Sequence, residues 1–316
     1  MKIGFLFPGQ GSQTVGMGKD LYEQYEAYRN VYEKVKDITG IDVADITFNE
    51  SEGKLNKTQY TQICILTMSL AILELLKERG INAEISAGLS LGEYTALIYS
   101  NLFNFEDGVR IVEKRGKYMQ ELVPSGDWRM AAILGLEDEK VEMACSKAEM
   151  GFVVPVNYNC TGQVVISGEA TAVEQAGKIA KELGAKKVRI LNTAGPFHTE
   201  KLVDSSRALK TELEKVNYNK FTSKVVKNLD GKFYNENDDY SKILANHIIS
   251  PVRFSKVLET MLNDGVDTFI EIGPGKTLSG FIKRMPCKET VNIMNICDVE
   301  SLQKTIDFVK DARKDG

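Results

Sequence analysis

The chain has 316 residues, of which 43% are hydrophobic and 27% charged, with a formal net charge of −4. This balance suits a soluble globular protein long enough for a large domain and a smaller one, and it gives nucleic-acid binding no global electrostatic support. Five cysteines without CxxC spacing and only two histidines, His198 and His247, favour reduced thiols in the cytoplasm over a disulfide framework, and no metal site is expected.

Lys2 to Phe7 is an apolar run closed by Pro8-Gly9-Gln10-Gly11, which reads as a buried strand entering a tight loop and stops too early for a signal-peptide core. Amphipathic stretches follow from Met17 to Ile38, stopping at Gly40, and from Thr58 to Arg79, stopping at Gly80. Apolar runs such as Ile63-Cys64-Ile65-Leu66 fall far short of the ~20 residues that span a bilayer, so no membrane association is expected. A short strand from Ile85 to Leu89 has the helix-compatible Glu93 to Ile98 directly behind it, and another helix is predicted from Phe105 to Leu122. Strands alternating with long helices predict a parallel sheet covered on both faces.

The rhythm changes after Pro124-Ser125-Gly126. A strand from Met130 to Leu134 precedes a helix near Glu137 to Met150. Paired strands at Phe152 to Asn157 and Gln163 to Ser167 come next, then a helix over Ala170 to Leu183 and a strand from Lys187 to Leu191. The order β-α-β-β-α-β is that of a ferredoxin-like unit. Residues 125–195 therefore read as a small domain inserted into a large α/β domain made of residues 1–124 and 196–316. The α/β rhythm then resumes with a helix from Glu200, a strand from Lys224 to Lys227, a helix after Pro251 and a strand from Thr268 to Ile272 that ends in Gly273-Pro274-Gly275. The charged stretch Lys310 to Gly316 is expected to fray.

Gly88-Leu89-Ser90-Leu91-Gly92 fits G-x-S-x-G with a strand before it and a helix after it. The glycines permit a sharp turn that lifts the serine oxygen out of the sheet, and the Leu91 amide at a helix N-terminus can donate to a developing oxyanion. The plain alternative is a strand–helix turn with serine as cap. A serine nucleophile needs a base. His198, which closes Gly195-Pro196-Phe197-His198, has the loop setting for it, although a capping or half-buried histidine is the bland reading. No Asp or Glu follows in an obvious triad position, so a third member is either absent or supplied by the backbone. Gly9-x-Gly11 lacks the third glycine of a dinucleotide fingerprint, because Thr14 stands there, and Gly275-Lys276-Thr277 lacks the first glycine of a phosphate loop, because Ile270 does. Arg115 among lysines reads either as a solvated face or as a bidentate clamp on a substrate carboxylate.

Six collinear blocks across residues 2–300 resemble the malonyl-CoA:acyl carrier protein transacylases. They are Phe7-Pro8-Gly9-Gln10-Gly11-Ser12-Gln13; Gly88-Leu89-Ser90-Leu91-Gly92-Glu93-Tyr94; Arg115-Gly116-x-x-Met119-Gln120; Asn157-x-Asn159 with Gln163 to Gly168; Gly195-Pro196-Phe197-His198; and Glu271-Ile272-Gly273-Pro274-Gly275. The resemblance implies a hydrolase-like α/β core with a ferredoxin-like insert, Ser90 as nucleophile, His198 as general base, the amides of Gln10 and Leu91 as oxyanion hole, and Arg115 on the malonyl carboxylate. Gln62, Met119, Asn159, Phe197 and His247 are expected to line or orient the pocket, with the Phe197 ring crowding a branched α-methyl. This sequence has Leu89 where many relatives have histidine. It also has His247 where glutamine is common and where the main-chain carbonyl orients the catalytic histidine.

The substrates implied are malonyl-CoA and holo acyl carrier protein, in fatty-acid synthesis, with no cofactor or metal and with a monomer as the working unit. Lys186, Lys187, Arg189, Lys283 and Arg284 are candidates for docking an acidic carrier protein, on charge alone. A trans-acting polyketide acyltransferase shares the same chemistry. A serine thioesterase or esterase, and a non-catalytic carrier-docking module, are the competing readings.

Overall fold

The computed structural model describes residues 1–49, 51–191, 195–286 and 291–314. Strand β1 (Ile3–Phe7) is buried along its whole length, as expected of a parallel strand covered on both faces. Helices α1 (Lys19–Gln24) and α2 (Glu26–Thr39) occupy the first amphipathic stretch. They are two helices rather than one, because Tyr25 takes an extended backbone (φ −117°, ψ 122°) between them. Gly40 closes α2 at φ 72°, where the sequence placed the stop. Helix α3 (Val43–Asn49) and a 3₁₀ segment (Ser51–Asn56) follow, neither of them anticipated. Then come α4 (Thr58–Glu78), β2 (Ile85–Gly88), α5 (Gly92–Tyr99) and α6 (Phe105–Glu121).

Helix α4, with 21 residues, is long and apolar enough to cross a membrane. It packs instead between α2, α6 and the sheet, with buried side chains on every face from Thr61 to Ile72. A helix apolar all round belongs either in lipid or in a core, and here the neighbouring helices supply the core.

The next segment contains β3 (Trp128–Leu134), α7 (Asp138–Ser146), β4 (Val153–Cys160), β5 (Gln163–Glu169), α8 (Ala170–Glu182) and β6 (Lys187–Ile190). They form an antiparallel sheet of order β4-β5-β3-β6. Period two decides what each face meets. Ala131, Ile133, Val164 and Ile166 pack on α7 and α8. Met130, Ala132 and Val165 point the other way, into the main core and the cleft above it.

After a 3₁₀ turn (Glu200–Leu202) come α9 (Val203–Leu213), β7 (Lys224–Val225), α10 (Tyr240–Ile248), α11 (Phe254–Asn263), β8 (Thr268–Ile272), α12 (Thr277–Ile282), β9 (Asn292–Ile296) and α13 (Val299–Lys314). Strands β7-β2-β1-β8-β9 make the other sheet, and every pairing in it is parallel. Helices α10, α12 and α13 and strand β9 were not anticipated. Residues 310–314, expected to fray, are helical, because Leu302, Thr305, Ile306 and Val309 bury one face of α13. The two sheets are joined where Val252, just before α11, exchanges main-chain hydrogen bonds with β4. Tyr158 N donates to Val252 O at 2.9 Å, and Val252 N donates to Val156 O at 2.8 Å.

Candidate active site

The site begins at the turn between β2 and α5. Ser90 sits at φ 54°, a left-handed conformation that a non-glycine residue holds only when its surroundings enforce it. Two close approaches explain the flanking glycines. A Cβ on Gly88 would lie 2.0 Å from the Gly92 carbonyl carbon, and one on Gly92 would lie 2.0 Å from Phe7 O. The turn is therefore folded against itself and against the end of β1. Asn228 holds it from the far side: its Oδ1 accepts from Ser90 N at 2.8 Å, and its Nδ2 donates to Gly88 O at 2.7 Å.

His198 also has a positive φ, 61°, in the loop before the 3₁₀ turn. Its Nε2 is 2.8 Å from Ser90 Oγ, and its Nδ1 is 2.9 Å from His247 O. A carbonyl can only accept, so Nδ1 carries the proton and Nε2 is free to take one from the serine. The third member of the array is thus the main chain of α10. Burial pushes the His198 pKa well below its ordinary value, and the neighbouring His247 and Arg115 push it the same way. The imidazole is held neutral and ready as a base.

Arg115 is 1% exposed, which disposes of the solvated-face reading. It lies on the inner stripe of α6 with Gly108, Val112 and Met119, at helical spacing. Its Nη2 donates to Ser90 Oγ at 3.0 Å and its Nη1 to Gln62 Oε1 at 2.6 Å, while the guanidinium carbon lies 5.1 Å from the centre of the Tyr94 ring. Gln62 is itself fixed by Met119, whose sulfur is 3.5 Å from Nε2. Among the described residues no carboxylate forms an ion pair with Arg115, and its Nε has no hydrogen-bond partner. Burial lowers its pKa, while Tyr94 and Glu93 oppose that shift. A buried guanidinium costs several kcal/mol unless an anion meets it, so a small carboxylate brought here would offset that cost.

A cleft of about 610 Å³ opens over these groups, between the parallel sheet and the inner face of the antiparallel one. Gln10, Gln62, Ser90, Met119, Asn159, Phe197 and His198 line it. The Gln10 loop abuts the serine turn so closely that a Cβ on Gly9 would lie 2.3 Å from Leu89 O. The main-chain N–H groups of Gln10 and Leu91 donate to no described residue. Leu91 itself is fully buried and caps α5. Asn159 is 4% exposed, and its Oδ1 lacks a hydrogen-bond partner among the described residues. The ring of His247 lies beside that of His198, 5.1 Å between ring centres, and its Nδ1 is 3.0 Å from Glu93 Oε2 on α5. Lys187, Arg189 and Arg284 stand at the cleft, whereas the exposed Lys186 and Lys283 do not line it.

Asn228, Tyr234 and Glu93 were not singled out as site residues. Asn228 is fully buried between Lys227 and Leu229, shortly before the Asp230-Gly231 turn, and a buried asparagine there is the one local hint that it serves something.

Residues 4–307 match the family model of the acyl transferase domain. The malonyl CoA-acyl carrier protein transacylase of Bacillus subtilis is 39% identical over 98% of this chain and 98% of its own. The crystal structure of a malonyl CoA-acyl carrier protein transacylase from Clostridium perfringens superposes with a TM-score of 0.94 at 43% identity, covering 99% of this chain and 98% of that one. A second structure, a type II PKS acyl-carrier protein in complex with its malonyl-transacylase, gives a TM-score of 0.92 at 35% identity over 97% and 99% of the two chains. The buried Ser90–His198 pair, the guanidinium beside it and these full-length likenesses agree, and the chain belongs to the malonyl CoA-acyl carrier protein transacylases of the acyl transferase domain family.

Proposed function

We propose that this chain transfers the malonyl group of malonyl-CoA to the phosphopantetheine thiol of an acyl carrier protein through malonyl-Ser90. The observation that carries the reading is the buried Arg115 guanidinium 3.0 Å from Ser90 Oγ, without a carboxylate partner among the described residues. The free carboxylate of a malonyl group supplies that anion, and its thioester carbon then lies against the serine.

The reaction has two symmetrical halves. Ser90 attacks the thioester carbonyl as its proton passes to His198 Nε2, and the oxyanion rests on the Gln10 and Leu91 amides. Loss of an oxyanion donor costs ~10²–10³ in rate. The tetrahedral intermediate collapses, the CoA sulfur leaves with the proton from His198, and malonyl remains on Ser90. The carrier's thiol then returns a proton to His198 and attacks the ester, and Ser90 leaves with that proton. Residues 125–195 act as an inserted unit whose inner face closes the cleft over the acyl chain, and Phe197 narrows the space beside the α-carbon. The four described cysteines are free thiols, which supports a reducing, cytoplasmic setting.

Intact mass after incubation with malonyl-CoA tests the reading. One malonyl group is expected on the wild type and none on Ser90→Ala; a labelled Ser90→Ala, or free malonate as the dominant product with holo carrier present, would sink it. The type II PKS complex among the similar structures favours a second reading in which the acceptor is a polyketide carrier. Side-by-side rates with carriers of the two kinds separate them.

A further inference from the structure

Glu93 is an ionisable side chain 1% exposed, in the first turn of α5, and the transfer scheme assigns it no part. Its two oxygens face opposite ways. Oε1 accepts from Asn228 N at 3.2 Å and from the Tyr234 hydroxyl at 2.8 Å. Oε2 lies 3.0 Å from Nδ1 of His247, which is also 1% exposed. The ring is turned off the line of a hydrogen bond, yet Oε2 and both ring nitrogens have no other partner among the described residues. A carboxylate oxygen and an imidazole nitrogen are shut in together at that distance, and no other partner among the described residues draws either away.

Followed outward, these contacts form a ring. Ser90 N donates to Asn228, Asn228 N donates to Glu93, Glu93 meets the His247 side chain, His247 O receives His198 Nδ1–H, and His198 Nε2 returns to Ser90 Oγ. Glu93 is the point at which the half that fixes the nucleophile joins the half that fixes the base. We propose that Glu93 is a positioning residue that sets Ser90 and His198 in register, acting on Ser90 through Asn228 and on His198 through His247. The inference rests on the reading of Ser90 and His198 as nucleophile and base.

A misplacement of about 1 Å in such a pair can cost on the order of 10²-fold in rate. Rapid-quench intact mass gives the rate of Ser90 malonylation against malonyl-CoA concentration. Glu93→Gln is expected to lower the saturated rate on the order of 10- to 100-fold with KM within about twofold. His247→Leu, which keeps the carbonyl but removes the partner of Oε2, should show the same loss. His247→Gln, which restores a donor, should return the rate to near that of the wild type. The double variant Glu93→Gln/His247→Leu should be no slower than the slower single, since both break one contact. Wild-type rates in Glu93→Gln, or a double variant slowed by the product of the single effects, would overturn the proposal. Should Glu93→Gln fail to fold by circular dichroism, the His247→Leu and His247→Gln pair decides alone: equal rates in the two overturn it. Malonylation of Ser90→Ala in the same assay would instead refute the nucleophile reading, which keeps the two failures apart.

Discussion

The two sheets contribute to the site in different ways, and their strands record it. In the parallel sheet β1, β2 and β8 are buried at every position, because helices cover both faces and the strands have no side left for solvent. Their function is at their ends: Gln10 follows β1 and Ser90 follows β2, side by side at the carboxyl edge where open α/β sheets gather ligands. In the antiparallel sheet the function lies along the strands. Met130, Ala132 and Val165 alternate with the residues that pack on α7 and α8, and the edge strand β6 leaves Lys187 and Arg189 exposed at the cleft. In the proposed transfer the first sheet fixes the geometry of bond-making, and the second shapes and charges the wall beside it. Substitutions in the first should therefore act on the chemical step, and those in the second on the binding of the acceptor.

The largest effect is expected at the base. His198→Ala should lower kcat by ~10²–10⁴ with little change in KM. The pH profile sharpens the point. Protonation removes the base, and burial lowers the His198 pKa below its ordinary 6.5. Activity should therefore survive below pH 6.5 and fall only as pH drops through the depressed value, and an acid limb of kcat/KM centred at or above 6.5 would contradict a buried neutral imidazole. Arg115→Ala comes next. Two charge-assisted hydrogen bonds at ~1.5 kcal/mol each correspond to about 10²-fold in malonyl transfer, while transfer of an uncharged acyl group should be spared. Equal losses for malonyl and acetyl would mean that the arginine only supports the turn.

The smallest effect is expected in the second sheet. Lys187→Glu with Arg189→Glu should raise KM for the carrier protein several-fold, since exposed ion pairs contribute ~0.2–1 kcal/mol each, and the effect should fade with added salt. A fall in the malonylation rate of Ser90 as large as that of Arg115→Ala would break the division between the sheets.

What could be read in advance follows the range of each interaction. Ser90 was legible because a nucleophile turn is built from five consecutive residues with a strand before and a helix after. His198 was legible because the chain offers only His198 and His247. The βαββαβ segment was legible because hydrophobic period and turn residues are local signals. Helix α3, helix α10 and strand β9 were missed because tertiary neighbours bury their apolar residues, with weak boundary signals of their own. Arg115 stood between two readings for the same reason. Its neighbours Lys114 and Lys117 suggest solvent, and only the stripe from Gly108 through Met119, pressed against α4, turns it inward.

The sequence by itself determined the order of the elements, the serine turn and the short supply of bases, because each depends on residues close along the chain or on simple counts. The tertiary structure decided which side chains meet. It brought His198 from residue 198 to within 2.8 Å of Ser90, chose the His247 carbonyl over any carboxylate as its orienter, and buried Glu93 between Asn228 and His247. Hydrogen bonds act over about 3 Å, and no local rule of the chain fixes distances that small between residues this far apart in sequence.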